Sequence, residues 1–323
     1  MRLGRDYTNC LVLDHLSEQE KREFEQDKID LATVNAIGLT KAKLDVEKQF
    51  EVTRELGMNH VELDGDPPNP YLELSPARRR EIQEAAESQG VTLSFHLPYS
   101  YVGGSICCPQ NQDRKIALNL QERCISFAED VGAKYVNIHP GSVPFYHRLG
   151  RYNGIIRAAL FTSLLKLDGV ARDHGLALHL ENNTAFDGVF SEPEDCLSLV
   201  KELRSAGAEI CFNFDIGHWF TKADTGGQIP NSPELVMEKI PPEYFGELHL
   251  NDYVPGKKMF HPPIHLAWGL LKRENLERYA KIVKKKGVKV VILETAMKDK
   301  AQVLGWRDVL KQETDYVKNI FGA

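Results

Sequence analysis

Cysteine is sparse and unpatterned in this chain of 323 residues. There are six cysteines, no C-x-x-C, and only Cys107 and Cys108 are adjacent. A disulfide framework or a thiolate zinc site needs regular spacing, so neither is expected, and a reduced cytoplasmic protein with free thiols is. Long apolar runs are missing as well. No segment approaches the roughly 20 apolar residues of a membrane span, and Arg2 and Arg5 precede no apolar stretch of signal-peptide length. Nor is positive charge in surplus. A formal net charge of -6 offers nucleic acid no general attraction, although a local patch can still be basic.

What is present is a rhythm. Residues 1–28 are densely charged from Ser17 onward and read as an N-terminal extension, with Ser17 and Glu20 as a capping box that starts a solvated helix. From residue 29 to 323 short apolar strands alternate with helices that stop at glycine. The predicted strands are Ile29 to Asn35, His60 to Asp64, Val91 to His96, Lys134 to His139, Leu176 to Glu181, Glu209 to Asp215, Phe245 to His249 and Val288 to Glu294. Gly57, Gly90, Gly132, Gly175 and Gly207 end five of the intervening helices. Eight alternations in one composition regime predict a single α/β domain, a closed (β/α)8 TIM barrel. An open doubly wound sheet is the alternative, but no G-x-G-x-x-G follows the first strand.

In such barrels the chemistry sits at the C-terminal ends of the strands. Seven of the eight end in a titratable group: Asp64, His96, His139, Glu181, Asp215, His249 and Glu294. Each alone reads as an ordinary capping or loop residue. Together they would bring carboxylates to one mouth, where only a cation relieves their repulsion. Two positions earlier, on the same inward face, stand Glu62, Ser94, Asn137, His179, Asn213 and Glu247, placed to orient the ligands above them or to line a polar, water-filled layer. A set of carboxylates and imidazoles without thiolates suits Mn2+, Mg2+, Co2+ or Zn2+. Glu181, Asp215, His249 and Glu294 form the expected ligand set. His96 and His139 can hold a second ion bridged by Glu181. His218, beyond Gly217, is either a substrate-binding group or a ligand to a further ion.

The segments Phe95-His96-Leu97-Pro98-Tyr99, Asn137-Ile138-His139-Pro140-Gly141-Ser142, Leu180-Glu181-Asn182, Asp215-Ile216-Gly217-His218, Leu248-His249-Leu250-Asn251-Asp252 and Leu293-Glu294-Thr295 resemble the signature series of the xylose-isomerase-like TIM barrels. That superfamily includes sugar isomerases, epimerases and endonuclease IV. In its isomerase branch the resemblance implies one divalent metal, with Glu181 and Glu294 as catalytic groups moving a proton beside a carbonyl through an enediolate held by the metal. His218, Tyr99 and Asn251 are then the substrate-binding candidates, and a small carbohydrate, phosphorylated or not, is the partner.

In the endonuclease IV branch the resemblance implies three zincs and phosphodiester hydrolysis on abasic DNA. His96, His139 and Glu181 would hold the first, the four-residue set the second, and His218 with an Asp-x-His the third. The sequence departs there, because the loop after the seventh strand carries no Asp-x-His and offers His261 or His265 instead. Arg148 and Arg151 can meet a substrate phosphate or face solvent as loop residues. His96 and the segment Asn137 to Ser142 lean toward the nuclease-like members, while the acidic balance and altered third site lean away from them, and the isomerase reading is preferred.

Overall fold

The computed structural model describes residues 1–148 and 150–322, without the side chains of Phe145 and Arg148. Eight parallel strands close into a barrel: β1 (Arg2–Asp6), β2 (His60–Asp64), β3 (Thr92–His96), β4 (Tyr135–Ile138), β5 (Ala177–Glu181), β6 (Cys211–Asp215), β7 (Phe245–Leu250) and β10 (Val290–Glu294). The remaining two, β8 (Tyr253–Val254) and β9 (Met259–Phe260), form an antiparallel ribbon after β7. Around the barrel the order is β1-β10-β7-β6-β5-β4-β3-β2, so sequence neighbours pair and β1 closes the ring against β10.

One boundary differs from the sequence expectation. The first strand is Arg2–Asp6, inside the stretch read as an extension, while residues 29–35 lie at the start of the helix Leu31–Leu44. Asp30 caps that helix by accepting from Thr33 N at 2.8 Å. A short apolar run does not separate strand from helix by itself, and the cap settles it locally. The Ser17–Glu20 capping box does form, and it opens the helix Glu18–Glu25 between β1 and β2. The helical segment after β10 is broken at Gly305 into Lys300–Leu304 and Trp306–Phe321.

Alternation along the strands separates two interiors. Outward residues such as Leu63, Phe95, Val136, Leu180, Phe214, Leu248 and Leu293 are buried against the helices and form the apolar core. Tyr71, Phe95 and Phe127 are one aromatic knot in it, with ring centroids 5.2 to 5.7 Å apart. Inward residues are mostly polar and buried, Val290 and Ile292 of β10 being apolar, and many of the polar ones pair with one another. Space is tight there: a side chain at Gly4 of β1 would run into the His60 ring.

Among the described residues no helix is long and apolar enough to cross a membrane, and all six cysteines are free.

Candidate metal centre

β5, β6, β7 and β10 are consecutive around the barrel, and their ends bring Glu181, Asp215, His249 and Glu294 together. His249 Nδ1 lies 3.1 Å from Glu181 Oε2, 2.9 Å from Glu294 Oε1 and 3.9 Å from Asp215 Oδ2. Ligating atoms of Glu181, Asp215 and His249 all fall within 4.8 Å of one another, as do those of Glu62, His249 and Glu294.

The three carboxylates are held in place by neutral amides. Asn137 and Asn213 both donate to Glu181 Oε2. Asn251 Nδ2 donates to Asp215 Oδ2 at 2.6 Å and to Glu294 Oε2 at 2.7 Å. Asp215 also caps the short helix Ile216–Phe220 through His218 N, 2.5 Å from Oδ1. Gly217 lets this turn close over the site, because a side chain there would collide with Asn251 Oδ1.

Two further groups flank this set. His96, His139 and Glu181 form one, with His96 Nε2 3.6 Å from Glu181 Oε2 and His139 Nε2 3.5 Å from Oε1. His96 Nδ1 faces Leu97 O at 3.1 Å, so the ring donates there and turns its other nitrogen to the site. Asp215, His218 and His261 form the other. His218 Nδ1 is 3.1 Å from Glu181 Oε1, and His261 Nε2 is 3.8 Å from Glu294 Oε2. Of the two loop histidines, only His261 reaches the mouth; His265 feels Glu313 and Arg5 instead.

The electrostatics show how unbalanced these groups are as protein alone. Burial pushes Glu181 up, but His249, His139 and His218 outweigh it and hold the carboxyl well below its usual range. Glu294 goes the same way through His249. Burial and the neighbouring carboxylates Glu294 and Glu181 push Asp215 well up, against His218. His139 and His261 are both driven down to about 3 by burial.

Glu181 Oε1, both ring nitrogens of His249 and Nε2 of His261 are buried without a hydrogen-bond partner. Of these, Glu181 Oε1 and His249 Nδ1 stand in one group with Asp215, and an orphaned oxygen beside an orphaned imidazole nitrogen is what a divalent ion of the Mn2+, Zn2+, Mg2+ or Co2+ class requires. The donor set therefore fits such an ion.

Above the ligands is a cavity of about 220 Å3. Tyr99 lines it, its ring 4.5 Å from that of His139, while its hydroxyl donates to Asp187 Oδ1 at 3.0 Å. Arg151 is exposed, and the side chain of Arg148 lies outside the described part of the structure. Sequence reasoning missed Asp6, Asp66 and Lys43. Asp6 ends β1, in register with Glu294, so it completes the ring at the eighth strand. Burial, with Asp64, Glu294 and Glu62 nearby, pushes it up to about 8. Lys43 is buried, reaches Asp64 Oδ2 at 2.8 Å and donates to Asp66 O at 2.6 Å. Asp66 in turn accepts from Tyr99 N at 2.6 Å and Ser100 N at 3.0 Å, which pins the Tyr99 loop. Counting Arg2–Asp6 as a strand would have found Asp6; nothing in the sequence marks Lys43.

Residues 50–320 match the family model described as "Xylose isomerase-like TIM barrel". The chain belongs to that family. Over 179 residues it is 28% identical to an uncharacterized protein of Methanocaldococcus jannaschii, a match covering 55% of this chain and 56% of that relative, so it spans little more than half of the relative's length. Several solved structures share the fold at low identity. A putative xylose isomerase from Rhodospirillum rubrum superposes with a TM-score of 0.70 at 17% identity, covering 100% of this chain and 99% of that one. D-psicose 3-epimerase from Clostridium cellulolyticum, solved with D-tagatose, gives 0.69 at 13% identity over 100% and 98%. The IolI protein, solved with a zinc atom, gives 0.66 at 12% over 100% and 98%. These likenesses establish a shared barrel, one whose members include sugar epimerases and metal binders.

Proposed function

We propose that this protein is a divalent-metal-dependent isomerase or epimerase of a small sugar, acting by proton transfer beside a carbonyl. One observation carries the reading: carboxylates from two separate strands, Glu181 and Glu294, face the same nitrogen of His249 beneath a cavity of about 220 Å3. Glu294 lines that cavity, whereas Glu181 is fully buried below it. Glu294 is therefore assigned removal of the proton from carbon, and Glu181 is the second acid-base group, tuned by His139 and His218. A divalent ion on Glu181, Asp215, His249 and Glu294 supplies a Lewis acid for the oxygens beside the reacting carbon. Tyr99 offers an apolar ring face to the sugar, since its hydroxyl is spent on Asp187, and His218 offers a ring N–H.

The lining of the mouth supports a neutral substrate. Among the described residues it holds the carboxylates Asp64, Asp66 and Glu294 and no lysine or arginine to pair with a phosphate. The structural likeness to an epimerase solved with D-tagatose points the same way.

Solvent exchange tests the proposal. The metal-loaded protein, incubated in deuterated water with a panel of ketoses and aldoses, should place deuterium on product carbon, and Glu294→Gln should abolish this. Exchange that survives the substitution would overturn the assigned role. A second reading, a zinc-dependent phosphodiester hydrolase on abasic DNA, is favoured by the groups His96-His139-Glu181 and Asp215-His218-His261, which give room for two or three ions. Elemental analysis separates the two: about one ion per chain supports the isomerase, two or three support the hydrolase. Incision of abasic DNA would displace the isomerase reading.

A further inference from the structure

Beneath the ligands, a line of polar groups runs through the barrel interior from the half-buried Thr92 of β3 to the buried His249 of β7. Thr92 Oγ1 lies 2.8 Å from His60 Nδ1, and His60 Nε2 lies 3.0 Å from Ser94 Oγ. Ser94 Oγ donates to Glu62 Oε2 at 3.0 Å, and Glu62 Oε1 lies 3.1 Å from His249 Nε2. Both atoms are buried, and neither has a hydrogen-bond partner. At 3.1 Å Glu62 Oε1 is the nearer of two unpaired carboxylate oxygens facing His249 Nε2, Glu247 Oε1 being 3.8 Å away.

Counting protons along this line leaves one arrangement. Ser94 has a single hydroxyl hydrogen, which goes to Glu62, so Ser94 must accept from His60 Nε2–H. His60 is kept neutral by burial, so its Nδ1 is bare and accepts from the Thr92 hydroxyl. Thr92 thereby gives up its weaker contact with Asn59 O at 3.1 Å, an oxygen already served by Thr92 N at 2.9 Å. Every donor points the same way, toward the Glu62 carboxylate. That carboxylate, with one oxygen taken by Ser94, presents a bare acceptor to His249.

We propose that Glu62 is a positioning residue that fixes the tautomer of His249, holding the proton on Nε2 so that Nδ1 keeps its lone pair for a metal ion. The inference rests on the metal reading above and adds which nitrogen binds, and why. Glu247 is the rival partner, but its Oε1 is 3.8 Å from His249 Nε2 and its Oε2 is engaged by His179 Nδ1 at 2.7 Å. Without Glu62, His249 is free to put its proton on Nδ1, and binding must first reverse that choice.

Zinc affinity tests this without reference to any substrate. Full-length wild type, Glu62→Ala, Glu62→Gln and Glu247→Gln are titrated with Zn2+ against a chromophoric chelator. Thermal melting shows that each is folded, and ring-nitrogen NMR of the loaded wild type gives the tautomer. Glu62→Ala should bind about 10- to 100-fold more weakly, in the range that lost outer partners of metal-bound histidines cost. Glu62→Gln retains an acceptor oxygen and nearly the same volume, so it should recover most of that loss, and Glu247→Gln should weaken binding less than Glu62→Ala. The loaded wild type should show His249 protonated on Nε2.

Wild-type affinity in folded Glu62→Ala, a proton on His249 Nδ1, or an equal loss in Glu247→Gln would overturn the assignment. A chain that binds zinc with this pattern yet exchanges no sugar proton would leave it standing and remove only the isomerase reading. A wild type that takes up no zinc would remove the metal reading and this inference with it.

Discussion

Arg5 and Glu313 make the sharpest case for stability. Both side chains are completely buried, and Arg5 Nη1 lies 2.9 Å from Glu313 Oε2. Arg5 also donates to Thr295 Oγ1 at 3.0 Å and Thr314 Oγ1 at 3.2 Å, and Thr295 Oγ1 donates to Glu313 at 2.7 Å. The other Glu313 oxygen accepts from Ile264 N at 2.7 Å, which ties down the loop that delivers His261. The pair thus joins β1, the end of β10, the last helix and that loop. Glu313→Ala should cost about 3–5 kcal/mol, because it strands a guanidinium where no water reaches it. That is a large part of the roughly 5–15 kcal/mol that holds a domain folded.

Replacing both partners removes the stranded charge, so Arg5→Met with Glu313→Leu should cost far less than Glu313→Ala alone, even after losing the bond to Ile264. Urea unfolding followed by fluorescence, with the slope checked for constancy, gives all the required differences. A loss under about 1 kcal/mol in Glu313→Ala, the range of an exposed pair, would refute this account of a dry ion pair. So would a double variant as unstable as the single.

Removing residues 1–8 should prevent folding, because β1 pairs with both β2 and β10; a truncated chain with native circular dichroism and melting would contradict this. Gly217→Ala should weaken zinc binding in a chelator titration without unfolding the barrel, since the added methyl displaces Asn251 from Asp215 and Glu294. His60 supplies a pH effect on stability. Burial lowers it from 6.5 to about 4, so the folded chain binds fewer protons than the unfolded one in that window. Its contribution is complete above about pH 6.5 and disappears as pH falls to about 4, a loss on the order of 3 kcal/mol. Urea titrations at pH 7 and pH 4 should therefore differ less in His60→Gln than in wild type; an equal difference would count against a neutral His60.

Seven strands were readable because each is a short apolar run leading to a titratable residue, most of them directly after a glycine-ended helix, and the outward faces are apolar enough to show the period. β1 was not, for a physical reason. Its outward Arg5 is charged yet buried against Glu313, so the residue that should advertise a core face looks like a surface one. Misplacing β1 also hid Asp6, the eighth member of the ring. The choice between His261 and His265 was equally closed to sequence, since it depends on the β8–β9 ribbon and on Ala296 N, which donates to His261 O at 2.9 Å.

The polar inward positions were readable as a set but not as pairs. Glu62 and Glu247 have the same parity and the same residue type, and both approach His249. What distinguishes them is that β5 supplies His179 to Glu247, while β3 supplies only a serine to Glu62 and so leaves one of its oxygens bare. Partner choice inside a barrel is decided by which inward side chains the closed ring brings within reach, on adjacent strands like β2 and β3 or across β6 like β5 and β7. A sequence determines that arrangement, but it becomes legible only once the ring is closed and β1 has its place in it.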